Sequence, residues 1–134
     1  MEVQKLELVV GDIKGNREIA YALLVAEQPY FVNQNVIEEE GKLTIESLLT
    51  DEYYSWDMLI TMIDEEKLRH LINIGQLFHA LQDSIYTYNL SPNNLVFSRN
   101  GNPLFVFRGV KGQVPPYDVA SLDEFTINFK AMIV

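Results

Sequence analysis

A polar loop in the middle of the chain carries the side chains whose types and spacing come closest to a chemical site. It reads Asn-Leu-Ser-Pro-Asn-Asn-Leu from Asn89 to Leu95, and Arg108 follows it after two short apolar runs. An amide oxygen such as that of Asn94 can ligate a hard cation, and an arginine can pair with a carboxylate. An amide cannot take up a proton near neutral pH. The loop therefore leaves the role of a general base vacant.

The stretch over residues 86–109 resembles the catalytic segment of protein kinases in layout. The polar loop is followed by an apolar strand, a turn at Asn100-Gly101 and a second apolar strand that ends in Phe107-Arg108-Gly109. In kinases these places read H-R-D-L-K-P-x-N-L and D-F-G. The alternative is a simple polar turn between a helix and a hairpin, because Asn, Ser and Pro are common turn formers.

The residues that perform phosphoryl transfer in a kinase are replaced in this chain. Asn89 stands where the catalytic Asp accepts the substrate proton, and Phe107 stands where the D-F-G Asp holds magnesium. Thr87 and Tyr88 replace the His and Arg of the first motif. Asn94 matches the remaining metal ligand, but one amide oxygen without a carboxylate makes a poor magnesium site. We therefore expect a kinase-like fold without catalytic residues, metal or cofactor.

These replacements lead to a hypothesis for the site. Asn89, Asn94, Phe107, Arg108 and Gly109 are expected to form a degenerate kinase-like cleft that has become a packed or partner-binding surface. Arg108 has an equally simple alternative, which is an ion pair with a structural carboxylate.

Hydrophobic periodicity predicts the elements that surround this loop. Alternating apolar residues predict a first strand that ends at Gly11-Asp12, and Asn16 can cap a helix over about residues 17–27. Two strands separated by Glu39-Glu40-Gly41 form a predicted hairpin. A short helix around Trp56 and a last helix from Ser121 complete the set. The last helix is expected to bury Leu122, Phe125, Ile127, Phe129 and Met132.

A long helix over about residues 65–86 leads directly into the polar loop. Asp64 is its predicted cap, and Gly75 is expected to allow another backbone to approach closely. Apolar spacing of three or four residues predicts its core face. That face comprises Leu68, Leu71, Ile72, Gly75, Phe78, Leu81, Gln82 and Ile85.

Composition excludes several classes of function. The 134 residues suffice for one domain, and the 48% hydrophobic share indicates a real core. The formal net charge of −9 opposes binding to nucleic acid or to anionic lipid, so protein partners are expected. The absence of cysteine excludes disulfides and thiolate metal sites. His70 and His79 would face opposite sides of the long helix, so each is expected to be an ordinary surface or packing residue.

The order and spacing of these motifs resemble the N-terminal cytosolic domain of the EssB/YukC family, membrane proteins of the type VII secretion apparatus of Gram-positive bacteria. The resemblance covers the last two thirds of the chain well and the first third in element order only. The matching residues are Glu66, Lys67, Leu68, Arg69, Leu71, Asn73, Ile74, Tyr88, Leu90, Pro92, Leu95, Phe97, Arg99, Gly101, Pro103, Arg108 and Gly109.

The resemblance implies an α+β, reduced protein-kinase-like fold with a small β-containing lobe and a mainly helical lobe. It implies a single domain over residues 1–134, cut before the transmembrane segment of a membrane-anchored protein, with no membrane insertion by this piece itself. The implied function is a non-catalytic scaffold at the cytoplasmic face of the bacterial membrane. Its implied partners are an FtsK/SpoIIIE-type ATPase and a small ubiquitin-like subunit, and the whole protein is expected to form a homodimer.

Two other hypotheses come from different classes. A residual nucleotide-binding domain or weak phosphotransferase would need cleft glycines, a lysine over the phosphates and a carboxylate on the metal. An unrelated small α+β adaptor would resemble a kinase only by chance. The adaptor is distinguished from the kinase-like fold by the long helix, which must pack beneath the hairpin over residues 89–109 in the kinase-like fold.

Overall fold

The computed structural model describes residues 2–129. Its strands are β1 (Glu2–Val9), β2 (Gln34–Glu39), β3 (Lys42–Leu49), β4 (Tyr54–Ser55), β5 (Tyr86–Thr87), β6 (Leu95–Phe97), β7 (Pro103–Phe105) and β8 (Gly109–Val110). Its α helices are α1 (Arg17–Val25), α2 (Trp56–Leu59), α3 (Asp64–Ala80) and α4 (Leu122–Phe129). Single 3-10 turns cover Val10–Asp12 and Pro92–Asn94. The mixture of helices and strands predicted from the sequence is confirmed.

Strands β1, β3 and β2 form an antiparallel sheet in that order. The alternation predicted for the first strand is confirmed, because Leu6 and Leu8 of β1 pack against the core while their neighbours are exposed. The β2–β3 hairpin turns through Glu40 and Gly41, whose φ angles are 50° and 80°. Two left-handed residues match the right-handed twist of the flanking strands, so the predicted hairpin is confirmed.

Helix α1 begins after Asn16, whose Oδ1 accepts a hydrogen bond from the backbone N–H of Ile19 at 3.1 Å. The predicted cap is therefore confirmed. The helix ends at Val25 and buries Ala20 and Leu24, whereas the apolar side chains of Ile19 and Val25 are exposed. A nine-residue helix that packs on one side buries a single narrow stripe, so the apolar residues beside that stripe stay in water.

Helix α3 differs from its prediction in length, in cap and in buried face. It ends at Ala80, and its N-cap is Ile63, so Asp64 is the first helical residue and makes no side-chain cap. Leu68 and Ile72, which were predicted to face the core, are exposed. The residues of α3 that are buried are His70, Ile74, Leu77 and Phe78.

His70 explains why the buried face was misplaced. Its Nε2 lies 2.6 Å from the Tyr54 hydroxyl, and its Nδ1 lies 2.6 Å from the carbonyl oxygen of Glu66. Its ring packs edge-on against Phe97 at 5.1 Å between centroids. A histidine with both nitrogens hydrogen-bonded can occupy a core position. A pattern built from apolar residues alone therefore rotates the predicted face away from the real one.

The helix α3 packs beneath the β6–β7 hairpin, as the kinase resemblance requires. Asn73 Nδ2 donates to the carbonyl oxygen of Gly101 at 3.2 Å, and Arg69 Nη1 donates to that of Asn100 at 3.4 Å. Both carbonyls belong to the turn predicted at Asn100-Gly101, where Gly101 has a φ of 82°. The side chains of α3 therefore hold the turn in place.

Helix α4 packs across α3 and α2 through its aromatic side chains. Phe125 lies 5.8 Å from Phe78, and Phe129 lies 5.4 Å from Trp56, between ring centroids. A Cβ at Gly75 would lie 3.8 Å from Cζ of Phe125, so this glycine faces a ring and not another backbone. Two further residues predicted to be inside, Leu122 and Ile127, are exposed, and Met132 lies outside the described residues. Over residues 2–129, no helix is long and apolar enough to cross a membrane.

Candidate functional site

Four of the five predicted cleft residues line one cavity of about 190 Å³, which we call the cleft. They are Asn89, Asn94, Phe107 and Arg108, and Gly109 lies immediately beyond them in β8. The rest of the lining comes from β1 and from the segment before α4, namely Leu6, Leu8, Pro115 and Pro116. The sequence predicted which loop residues meet, but it gave no signal for this second, apolar half of the lining.

Asn94 is buried, and its amide is bound by the backbone around it. Its Nδ2 donates to the carbonyl oxygens of Asn89 at 2.9 Å and Phe107 at 3.2 Å. Its Oδ1 accepts the backbone N–H of Phe107 at 2.9 Å. Both ends of the amide are thus engaged within the protein. Asn94 ties the polar loop to the backbone at Phe107.

Arg108 binds the C-terminal end of α1. Its Nη2 donates to the carbonyl oxygens of Leu23 at 3.0 Å and Leu24 at 2.8 Å, and also to that of Ala26. The last carbonyls of a helix lack intrahelical partners and form the negative end of its dipole. A cation at this position satisfies both needs. Arg108 therefore joins the segment after β7 to the first helix of the chain.

Two aromatic rings lie against the buried guanidinium of Arg108. Its Cζ lies 4.6 Å from the ring centroid of Tyr86 and 5.2 Å from that of Phe31, which gives two cation–π contacts. Burial lowers the pKa of Arg108, but an arginine remains protonated at physiological pH. Among residues 2–129 no carboxylate forms an ion pair with it, and the expected carboxylate partner is replaced by carbonyls.

Gly109 is required for backbone packing and offers no ligand. A Cβ at this position would collide with the carbonyl oxygens of Val114 and Pro115 and would lie 2.6 Å from the Thr87 hydroxyl. Thr87 itself donates to the carbonyl oxygen of Pro116. The β5–β8 pair and the proline segment therefore approach too closely for any side chain.

Tyr88, which was predicted to replace the arginine of a kinase motif, is a core residue. Its ring stacks on Phe105 with centroids 4.1 Å apart. Its hydroxyl is buried and has no hydrogen-bond partner among the described residues. Burial, together with the charge of Glu124, raises the pKa of Tyr88 to about 12. The phenol is therefore neutral at physiological pH and supplies no base.

The cleft has little with which to hold a nucleotide. Asn89 is exposed and Phe107 is half-buried, and the described lining contains neither a carboxylate nor a lysine. The volume of about 190 Å³ falls below the roughly 300–1,000 Å³ of small-molecule sites. No group of three or more potential metal ligands occurs in residues 2–129. What the described residues of the cleft do is bind backbone, through Asn94 and Arg108.

A model of the family described as "WXG100 protein secretion system (Wss), protein YukC" matches residues 9–134. This match covers more than half of the chain. The chain belongs to the YukC family. The resemblance to the EssB/YukC family stated from the motifs is therefore confirmed.

A curated relative of this YukC-family chain is the type VII secretion system protein EssB of Staphylococcus aureus. It is 31% identical over 128 residues, which cover 96% of this chain and 28% of that protein. The chain thus spans little more than a quarter of the length of the curated relatives it matches.

Two solved structures share the fold of this YukC-family chain. The cytoplasmic fragment of Staphylococcus aureus EssB matches with a TM-score of 0.85 at 29% identity, over 96% of this chain and 72% of that one. The cytoplasmic fragment of Geobacillus thermodenitrificans EssB matches with a TM-score of 0.84 at 16% identity, over 96% and 62%. At the lower identity the likeness concerns the fold alone.

Proposed function

We propose that this chain is a non-catalytic scaffold domain of a type VII secretion machine. The observation that carries the proposal is the YukC family match over residues 9–134. The relative from Staphylococcus aureus is named as a type VII secretion system protein, and its solved fragment is described as cytoplasmic. We place the domain at the cytoplasmic face of the membrane, attached to an anchored remainder of the protein.

The geometry of the cleft supports the non-catalytic part of this proposal. Asn94 and Arg108 direct their polar groups at backbone, and Phe107 replaces a metal ligand by an apolar ring. The nucleotide-binding alternative lacks the lysine and the carboxylate that it would need in the described lining. In our proposal the fold is a reduced kinase-like one, in which Arg108 fastens the small lobe to the helical lobe.

The proposed work of the domain is to dock the cytosolic parts of other components. An FtsK/SpoIIIE-type ATPase and a small ubiquitin-like subunit are the proposed partners, and the whole protein is proposed to form a homodimer. The excess of negative charge supports protein partners, because it repels phosphate backbones and anionic lipid surfaces.

Co-purification from the native membrane tests this function. The full-length protein, tagged at one end, is extracted in mild detergent, and the bound proteins are quantified by mass spectrometry. We expect the ATPase and the ubiquitin-like subunit to be enriched together, and to be lost when residues 1–134 are deleted and the rest is retained. Recovery of both partners without residues 1–134 would refute a scaffold role for this domain.

A further inference from the structure

A groove of about 710 Å³, larger than the cleft, runs along one side of α3. It is bounded by α3, by the β6–β7 hairpin and by two short segments at residues 29–30 and 52–53. None of its lining residues belongs to the cleft. Its volume lies within the range of roughly 300–1,000 Å³ that is typical of ligand sites. We call it the amide groove.

The lining of the amide groove combines apolar surface with free amides. Tyr30, Tyr53 and Leu104 supply aromatic and aliphatic contact area. Gln76 and Asn102 are exposed, and their side-chain amides bond to no other described residue. Each such amide carries both donors and an acceptor, which is the set that pairs with a peptide C=O and N–H. This combination matches the backbone and side chains of an extended peptide.

One wall of the amide groove is held in place before any ligand arrives. Asn73, which also lines the groove, donates to the carbonyl oxygen of Gly101, and Arg69 donates to that of Asn100. These bonds fix the β6–β7 turn against α3. A preformed wall lowers the ordering cost of binding, since the turn is already in position.

The charge of the amide groove favours a ligand of opposite charge. Glu52 is the single residue among the lining residues that is charged at neutral pH. Its carboxylate lies 4.0 Å from Arg99, and both side chains are largely exposed, so this pair is weak. The chain as a whole carries a net charge of −9. Local and overall charge therefore both favour a ligand with a Lys or Arg close to Glu52.

We propose that the amide groove binds an extended segment of a partner protein that carries apolar side chains and one Lys or Arg placed to reach Glu52. This inference rests on the proposed scaffold function and identifies the surface that performs it. Gln76 and Asn102 bind the peptide backbone, Tyr30 and Tyr53 pack against its apolar side chains, and Glu52 fixes its direction.

Selection from a displayed library of random twelve-residue peptides tests the ligand chemistry. The enriched peptides are synthesised and titrated into the ¹⁵N-labelled chain. We expect enrichment of Lys or Arg next to apolar residues, and shifts of the side-chain amide resonances of Gln76 and Asn102. Gln76→Ala should weaken binding about three- to tenfold, the value of one neutral hydrogen bond. Glu52→Lys should weaken binding at least tenfold, and Glu39→Lys, an equal charge change on exposed β2, should leave the affinity unchanged.

Several results would overturn the proposal. One is that no peptide, or only acidic peptides, are enriched. Another is that the Glu52→Lys and Glu39→Lys variants bind the enriched peptides with equal affinity. A third is that the resonance shifts are confined to residues outside the groove. Concentration-dependent shifts of groove residues without peptide would assign the groove to a second copy of the chain instead.

Co-purification with the full-length Glu52→Lys variant distinguishes failure of the groove proposal from failure of the scaffold function. If the wild type and this variant recover the partners equally, the groove proposal fails and the scaffold function stands. If the wild type recovers none, the scaffold function itself fails.

Discussion

Arg108 is the residue that ties the cleft to the rest of the fold. Replacing it with methionine removes the donor to the carbonyls of Leu23, Leu24 and Ala26 at the end of α1. Leu23 and Leu24 keep the bonds donated by Tyr86 and Gln34, so of the three carbonyls that of Ala26 alone loses its described side-chain donor. Hydrogen bonds from a charged donor contribute about 1.5–3 kcal/mol each, partly offset by removal of a buried charge, so we expect a loss of about 2–4 kcal/mol. Urea unfolding measures this change. Arg99→Met is the matched control, because Arg99 is exposed. Equal stability of the two variants would show that Arg108 does not stabilise the fold by binding the end of α1.

Tyr86 and Tyr88, which lie two positions apart in the sequence, provide an internal comparison. The Tyr86 hydroxyl donates to the carbonyl oxygen of Leu23 at 2.9 Å, whereas the Tyr88 hydroxyl is buried without a described partner. Tyr86→Phe should therefore cost about 1 kcal/mol of unfolding free energy. Tyr88→Phe should leave stability unchanged or raise it by about 1 kcal/mol, because it removes an unpaired polar group. Urea unfolding measures both variants, and the midpoint of Tyr86→Phe should be the lower one. A larger loss of unfolding free energy for Tyr88→Phe would show that its hydroxyl does have a hydrogen-bond partner.

The β5–β8 pair depends on the absence of a side chain at Gly109. Gly109→Ala would push a methyl group into the carbonyl oxygens of Val114 and Pro115, which belong to the backbone and cannot rotate away. We expect a loss of more than about 2 kcal/mol, measured by thermal or urea unfolding. Gly11→Ala is the control, since its new methyl group would find only Val9 Cγ1 at 3.9 Å. Similar stability of both variants would show that the backbone at Val114 and Pro115 can move away from Gly109.

The elements show which features a sequence can predict. The cap at Asn16 and a hairpin turn within Glu39-Glu40-Gly41 were predicted because their chemistry is local, within three or four residues. The buried face of α3 was not, because His70 enters the core through a bond to Tyr54, sixteen positions away. Apolar periodicity has no means of registering a polar residue whose hydrogen bonds are supplied by another element.

At the scale of the whole molecule, the cleft also has features that could be predicted from the sequence and features that could not. Chain order placed Asn89, Asn94, Phe107 and Arg108 in one loop system, and the structure gathers them around one cavity. What Arg108 binds was beyond prediction, because its acceptor Leu23 lies 85 positions away in sequence. Long-range backbone carbonyls leave no pattern in side-chain types. Motifs therefore predicted four of the eight lining residues, and only the fold gives their bonding partners.

At the level of the whole molecule, the scaffold proposal predicts that the chain does not bind nucleotide, whereas a residual kinase would bind it. The thermal midpoint is measured in buffer, with ATP and magnesium, and with ATP and EDTA. A ligand at 100 times its dissociation constant would add about 2.7 kcal/mol and raise the midpoint by several degrees. We expect no shift up to millimolar ATP, because the cleft holds about 190 Å³ and Asn94 is engaged by backbone.

The arm with EDTA and an arm with magnesium alone distinguish specific binding from ionic effects on this acidic chain. A shift that needs both ATP and magnesium would mean that a carboxylate approaches Asn94 when nucleotide is present. In that case Asn94→Ala should abolish the shift, and the domain would be a nucleotide-responsive switch. A shift with magnesium alone would instead reflect screening of the net charge of −9, and Asn94→Ala would leave it unchanged.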